Sequence, residues 1–475
     1  MSDRLAILVI VLFVSFVGLL LRVTGMRGDI WFDEAWAIEA VQRLDSLGQL
    51  LTIYRHHTNH LLNSFVLTLI PPQESDLFYR IPAVTAALAA IPLFWGFAQR
   101  QMGVYAFGAA LLFGISVPVI AFSTEARGFG FLVFFALIAL TALDANLREE
   151  DWRWILVYWV ACILAFLSHP TFVLLFSAMI VWSLSLHFSA RFTRMVDIVG
   201  KCHLAPVAAC VLIYLNFYHG VPPESIGALT PFLDSAISAV SLAVGGPEYV
   251  VVSPEQISLA RLIAGIAAIL VLIELYLMVI GGARYWMLYL GGCFVAPYLW
   301  YLSPLVRTNS VAYFLLPTVL LYGVLGSLLT RLLSTGLVGR AVALGLLGVC
   351  CYGSISQLDE AFGIGRGKVR RAFEYMAENS EEEGVVIAGD DDIGNELLVS
   401  YYIPRLKLSK PLVYLAKSEP AAGGAEWYLV KLDRLSEELD HEVVMMGDRR
   451  FELKKVFRRR LPSGTNLLVY QRVSG

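Results

Sequence analysis

The sequence predicts a polytopic α-helical membrane protein that ends in a small soluble α/β domain. Three observations predict it. The 475 residues are 57% hydrophobic and 16% charged, where a soluble globular protein carries about 25% charged residues. Apolar runs long enough to cross a bilayer, roughly 20 residues each, recur along most of the chain. From Phe362 the composition changes, and that final segment holds 18 of the chain's 36 Lys and Arg residues.

The first apolar run covers residues 5–21. Many similar runs follow it and no small-residue cleavage site does, so it reads as a transmembrane helix rather than a signal peptide. Spans are expected at 5–24, 80–98, 104–122, 128–145, 154–168, 170–188, 204–218, 258–281, 285–304, 309–330 and 341–357, about eleven by length. Residues 60–70 are too short to cross easily and end in Pro71-Pro72. They read as an interfacial segment inside a long first loop, 25–79. If they spanned, every later loop would invert.

Positive charge sets the expected sidedness. With Met1 in the cytoplasm, the cytoplasmic turns contain Arg100, Arg148, Arg153, Arg191, Arg194, Lys201, Arg284, Arg331 and Arg340. The opposite loop, 219–256, has no Lys or Arg but contains Glu224, Asp234, Glu248 and Glu255. Arg22 and Arg27 run against the rule. An odd number of spans puts the final domain, 362–475, on the same outer side as the first loop, with 1–361 as the membrane domain. In that final domain residues 368–378 read as an amphipathic helix, and 385–389, 426–432 and 465–473 as strands.

Composition also excludes some functions. A net charge of -3 gives no footprint for nucleic acid. No GxGxxG or GxxxxGK[ST] run is present, so a nucleotide-sugar or ATP site is not indicated. The six cysteines lie in or beside apolar segments without CxxC or metal-ligand spacing, and read as small apolar residues.

The most pointed feature is the acidic pair Asp33 and Glu34, in Gly28-Asp29-Ile30-Trp31-Phe32-Asp33-Glu34-Ala35-Trp36 after the first span. Trp31, Phe32 and Trp36 belong at the membrane surface, where amphipathic rings gather. A carboxylate there can take the proton of an acceptor hydroxyl or amine. The plainer reading is a solvated helix start, which acidic residues stabilise. Adjacent helical residues point about 100° apart, so one carboxylate can act as base while the other holds an acceptor or a helix. A divalent cation is a further possibility, though two oxygen ligands make a weak site.

Later in the same loop comes Tyr54-Arg55-His56-His57-Thr58-Asn59-His60. His56 and His60 have the four-residue spacing of a helical metal pair. Contact of Arg55, His57 and His60 with a head group or acceptor is the preferred reading, and no metal ligand is assigned. Glu125 and Arg127 lie in Ser123-Thr124-Glu125-Ala126-Arg127-Gly128-Phe129, at the exit of a span. Arg presents a rigid fork suited to phosphate oxygens, which Glu125 can orient; the alternative is a structural pair or a snorkelling side chain. Arg307 is a second candidate phosphate ligand, or an interface anchor. Two cations on a phosphate leaving group would stabilise its developing charge. His169 reads as a hydrogen-bonded loop residue. In the expected topology all these features fall at the outer ends of spans, which points to a single site.

These residues resemble the GT-C class of integral membrane glycosyltransferases, and within it the protein O-mannosyltransferase and aminoarabinose transferase group. Trp31-Phe32-Asp33-Glu34 matches the Asp-Glu motif of the family's first external loop. His57-Thr58-Asn59-His60-Leu61-Leu62 looks like its His-Pro-Pro-Leu stretch without the prolines. Arg80-Ile81-Pro82 resembles the Arg-hydrophobic-Pro opening of the next span. Glu125-Ala126-Arg127-Gly128-Phe129 resembles Glu-Ala-Arg-x-Tyr, with Phe129 in place of Tyr. Arg307 to Pro317 is similar to a late Arg-Tyr…Pro element, but Arg307 and Tyr313 are separated.

The resemblance implies a sugar carried on a polyprenyl phosphate, transferred with inversion to a lipid, glycan or protein acceptor at the outer face of a bacterial plasma membrane. By carry-over Asp33 is the base and Glu34 helps place the acceptor. Arg127, oriented by Glu125, and Arg307 hold the lipid phosphate, and Arg80 joins the acceptor or head-group contacts. The product is a hexosyl or pentosyl transfer. Two other readings compete. An O-antigen ligase or polymerase uses diphosphate-linked donors, which the acidic first loop fits less well. A transporter or flippase would show inverted repeats and polar midplane sites, and neither is evident.

Overall fold

The computed structural model describes residues 3–52, 60–73, 75–188, 192–219, 231–249, 254–302, 310–416, 424–432, 443–446 and 449–473. Its outer surface inverts the soluble pattern. Leu12, Phe13, Phe16 and Leu20 on the first helix, Asp3–Gly25, are more than half exposed, as are Leu262, Ile269 and Leu272 on Pro254–Ile280. Apolar side chains turned outward on helices belong in hydrocarbon. The chain is an integral membrane protein.

Seven helical stretches among the described residues are long and apolar enough to cross a bilayer, against the eleven expected. The difference is largely one of length and continuity. Trp152–Ser168 and Phe172–Ser185 are apolar but shorter. Trp286–Leu290 and Ala296–Leu302 are joined through a π-helical turn, Gly291–Val295. The run expected to cross at 104–122 is broken into Ala106–Gly114 and Val117–Ser123. Ser116 accepts a hydrogen bond from the Val119 amide at 3.2 Å, and Pro118 sits in the first turn; both are helix-start signals.

This break also accounts for Arg22. Its buried side chain donates to the carbonyls of Gly18 at 3.2 Å and Gly114 at 3.0 Å. It therefore caps the carbonyl end of Ala106–Gly114, where the helix dipole favours a cation. Arg22 is not a loop charge and has no bearing on sidedness.

The first loop folds as Phe32–Gln42, Leu47–Thr52 and Leu61–Thr68. The last of these has eight residues, about 12 Å of helix, far too short to cross. Phe232–Ala243, in the stretch read as an outer loop, is instead an apolar helix packed on Pro254–Ile280.

Two clusters of polar groups lie near opposite ends of Phe129–Glu149. At one end Arg100, Arg148 and Arg284, from three different turns, converge on the buried carboxylate of Asp144 at 3.2, 3.1 and 3.7 Å. Asp33, Glu125 and Arg127 gather elsewhere, against the C-terminal segment.

That segment is a six-stranded sheet. Its strands are β1 (Val385–Gly389), β2 (Leu412–Tyr414), β3 (Trp427–Leu432), β4 (Val443–Met446), β5 (Arg449–Phe457) and β6 (Asn466–Arg472), in the order β2-β1-β3-β6-β5-β4. β1 pairs parallel with β2 and β3, and the other pairs are antiparallel. Side chains alternate between faces with a period of two. Val385, Ile387, Trp427 and Leu429 share a core with the helices Val369–Asn379 and Asp392–Tyr402, while Ala388, Tyr428, Leu468 and Tyr470 form a separate cluster. The first core does not end at those helices. It runs on through Tyr401 and Tyr402 into Ile30, Ala35, Ile38, Val41, Tyr79 and Ala126. One apolar core thus joins the first loop to the end of the chain.

Candidate active site

Phe32–Gln42 starts after an extended Trp31, with Asp33 and Glu34 in its first turn. The two carboxylates point apart, as their helical offset requires. Glu34 is fully buried and accepts from Arg80 Nε at 2.7 Å, Arg80 Nη2 at 2.6 Å and the Ala126 amide at 2.8 Å. Burial pushes the Glu34 carboxyl up, but the charge and hydrogen bonds of Arg80, with Arg366 and the Ala126 amide, outweigh it and hold it below the ordinary carboxylate range.

Arg80 spends its remaining N–H groups on backbone. Nη1 donates to Met26 O at 2.7 Å and Gly28 O at 2.9 Å, and Nη2 to Asp29 O at 2.9 Å. All five donors of a guanidinium are then satisfied inside the protein. The expectation that Arg80 meets an acceptor or head group is corrected here: the side chain is completely buried and clamps the first loop onto the next helix. Glu34, enclosed by the same bonds, has no open face toward an acceptor.

Asp33 points the other way. Its Oδ2 lies 3.1 Å from Arg127 Nη1, with side-chain exposures of 15% and 10%, so this pair meets the surface where the Glu34–Arg80 pair does not. Arg127 Nη1 also lies 3.3 Å from Glu125 Oε2. The guanidinium stands over the rings of Trp31 and Phe129, at 5.4 and 4.9 Å, an arrangement that holds a cation. Its Nε is buried and finds no hydrogen-bond acceptor among the described residues. Burial pushes the buried Glu125 carboxyl up, while Arg127 and Arg366 pull it partly back.

The turn carrying Glu125 and Arg127 is fixed from several sides. Glu34 holds the Ala126 amide, and Asn63 Nδ2 donates to the Ala126 carbonyl at 2.9 Å. The Gly128 amide donates to His60 Nδ1 at 2.9 Å. A side chain at Gly128 would collide with the Ser168 carbonyl and His60, so only glycine permits this approach. His60 is buried, which corrects its expected head-group contact: it braces the turn from beneath. Its ring packs on Phe129 and on His169, at 5.2 and 4.8 Å, and His169 stacks on Phe129 at 4.9 Å. His169, read as a loop residue, is thus part of the aromatic floor.

Arg366 is the residue that sequence reasoning missed. It donates to Ser463 Oγ at 3.1 Å, Gly25 O at 3.1 Å, Ala121 O at 2.7 Å and Thr124 Oγ1 at 2.7 Å, and stands 3.6 Å from Glu125 Oε1. The signal was present: Arg366 lies between Gly365 and Gly367, both at positive φ, 86° and 112°, a backbone shape that glycine adopts freely. Asp29 adds a second tie, accepting from the Arg370 amide at 2.8 Å at the start of Val369–Asn379.

Arg55, His56 and His57 fall in 53–59 and Arg307 in 303–309, outside the described residues. Among the described residues no group of three or more His, Cys, Asp or Glu side chains is placed to hold a metal ion. An apolar groove of about 480 Å³ is lined by Phe232, Val240, Val271, Phe294, Tyr298 and Phe314. The neighbour of Phe314, Tyr313, packs on His169 with ring centroids 5.9 Å apart.

No protein-family model and no curated protein sequence matches the chain. A solved structure does. The archaeal oligosaccharyltransferase AglB from Archaeoglobus fulgidus, in complex with an inhibitory peptide and a dolichol-phosphate, matches with a TM-score of 0.50 over 90% of this chain and 70% of that one. The two share an overall fold. At 11% sequence identity the likeness is one of fold. The Asp33–Arg127 pair adjoins the aromatic floor, with the guanidinium over Phe129.

Proposed function

We propose that the protein is an inverting glycosyltransferase that moves a sugar from a polyprenyl-phosphate donor to a lipid, glycan or protein acceptor at the outer membrane face. The observation that carries this reading is the Asp33–Arg127 pair. It is the surface-reaching member of two acid–arginine pairs whose other member, Glu34–Arg80, is sealed as a support.

Asp33 is the base. It takes the proton of the acceptor hydroxyl or amine as that atom attacks the anomeric carbon. The bond from the anomeric carbon to the phosphate oxygen breaks as the new bond forms, and the configuration inverts. Arg127 holds the phosphate, whose oxygens compete with Asp33 for Nη1 and leave the carboxylate available to the acceptor. Around this point Asp33, Glu34 and Glu125 balance Arg80, Arg127 and Arg366. An arriving phosphate adds negative charge, which gives Arg307 its purpose as a further cation. The prenyl tail occupies the apolar groove beside Phe314, the kind of surface an isoprenoid fills without loss of hydrogen bonds. The neighbour AglB was solved with a dolichol-phosphate, a lipid phosphate of this class. Glu34 and Arg80 are positioning residues, and 362–475 is a domain that packs on the first loop through a shared core.

The test is sugar transfer by purified protein from a panel of undecaprenyl- and dolichyl-phosphate sugars, with Asp33→Asn alongside. Transfer or donor hydrolysis by the wild type is expected, lost in a variant that still folds and inserts. Near-normal turnover by Asp33→Asn would rule out the base role. No turnover with any donor, together with lipid or solute movement in liposomes, would replace this reading with a transporter.

A further inference from the structure

The bundle end that carries Asp144 holds a second charged cluster, which the proposed reaction does not use. Asp144 is fully buried, and Arg100, Arg148 and Arg284 surround it with side-chain exposures of 35%, 40% and 33%. Three guanidinium groups on one carboxylate leave an excess of two positive charges. The nearest other acids on these turns are engaged elsewhere, Glu149 by Trp154 Nε1 at 2.9 Å and Glu150 by Arg194.

The cluster has a rigid floor. Tyr285 donates to Asp144 Oδ1 at 2.9 Å and accepts from Arg148 Nη2 at 2.5 Å. Trp182 stacks on Tyr285 at 5.4 Å and donates its indole N–H to the Arg284 carbonyl at 2.9 Å. The backbone from which Arg284 projects is therefore fixed. Yet Arg284 Nε stands 3.7 Å from Asp144 Oδ1, too far for a hydrogen bond, and its Nη2 is buried without a hydrogen-bond acceptor among the described residues. Buried donors in that state are costly, and an anion would complete them with charge-assisted bonds.

Depth identifies the anion's source. Trp152, Trp154 and Trp286 begin helices on these same turns, and Trp152 and Tyr105 are 63% and 41% exposed. Such rings mark the head-group layer, and basic pockets between helices at that level bind anionic head groups. We propose that Arg100, Arg148 and Arg284 form a binding site for the phosphate of an anionic membrane lipid, with Asp144 and Tyr285 as its floor.

The experiment is native mass spectrometry of the full chain in neutral detergent, titrated with phosphatidylglycerol, phosphatidylcholine or inorganic phosphate. Arg284→Gln is the variant of choice: Arg100 and Arg148 remain on Asp144, so the fold is kept. Arg284→Lys keeps the charge but not the fork, and Arg194→Gln serves as a control outside the cluster. Phosphatidylglycerol should be retained in preference to phosphatidylcholine. Arg284→Gln should weaken its retention roughly fivefold, the effect of one basic side chain near a lipid surface. Arg284→Lys should fall between, and Arg194→Gln should match the wild type. Displacement of the lipid by millimolar phosphate alone would keep the anion site but assign it to free phosphate. Equal retention of both lipids, or wild-type retention by Arg284→Gln, would overturn the proposal.

Discussion

Asp33 and Glu34 share a peptide bond and almost nothing else. One stands beside Arg127 at 15% side-chain exposure, the other is enclosed by Arg80 and the Ala126 amide. Sequence reading located the pair but could not divide its labour, because the partner that seals Glu34 lies 46 residues away. No local period specifies which arginine a carboxylate will find. The division makes a stability prediction. Glu34→Gln leaves the Arg80 charge buried and uncompensated, which should cost about 3–5 kcal/mol, read as a lowered unfolding midpoint in detergent. An unchanged midpoint would mean that the buried pair is not a support. The pH dependence has a definite sign. The folded Glu34 carboxyl titrates below its unfolded value, so its contribution is complete above about pH 4.3 and is lost as pH falls through the folded value. The gap between wild type and Glu34→Gln should therefore persist from neutrality down to that range and close below it.

At the scale of elements, uniform apolarity hid the interruptions. Residues 104–122 read as one span by hydropathy, yet Ser116 and Pro118 start a new helix inside them. Local capping chemistry outweighed the apolar run, and Arg22 answers the break from another helix. The strands at 385–389, 426–432 and 465–473 were legible because turn residues bound apolar runs. β2 has three residues, and β5 alternates charged with apolar side chains too irregularly to stand out. Helix contact can be tested at Gly130, near the start of Phe129–Glu149. A Cβ there would lie 2.1 Å from the Ala83 carbonyl oxygen, with backbone on both sides and no flexible atom to yield. Gly130→Ala should push the two helices apart, cost about 1–3 kcal/mol by overpacking, and reduce transfer by shifting the adjacent Arg127. Wild-type stability and activity together would show that the helices part without consequence.

Across the whole molecule, the C-terminal segment is a wall of the site. Arg366 reaches Gly25 and Thr124 across 341 and 242 residues of sequence, and Tyr402 donates to the Ile30 carbonyl at 2.7 Å. The composition change at Phe362 announced this segment, but nothing in it announced what it would touch. Arg366→Gln should lower transfer by roughly 10- to 100-fold through misplacement of the Glu125–Arg127 turn, with partial rescue by Arg366→Lys. Steady-state kinetics with a fixed donor, beside a check that the protein still elutes as wild type, would decide it. Full activity would reduce Arg366 to packing.

The core shared by the first loop and the final sheet also has a history in time. During synthesis, Ile30, Ile38 and Tyr79 emerge early, while their partners Phe373, Tyr402 and Trp427 are still to be translated. Such long-range contacts form late, and exposed apolar surface invites wrong partners while it waits. A nascent chain would hold its first loop unfinished until residues 369–469 had been made. A chain cut short before Val369 would therefore yield a membrane-inserted protein whose first loop lacks the partners that complete its core.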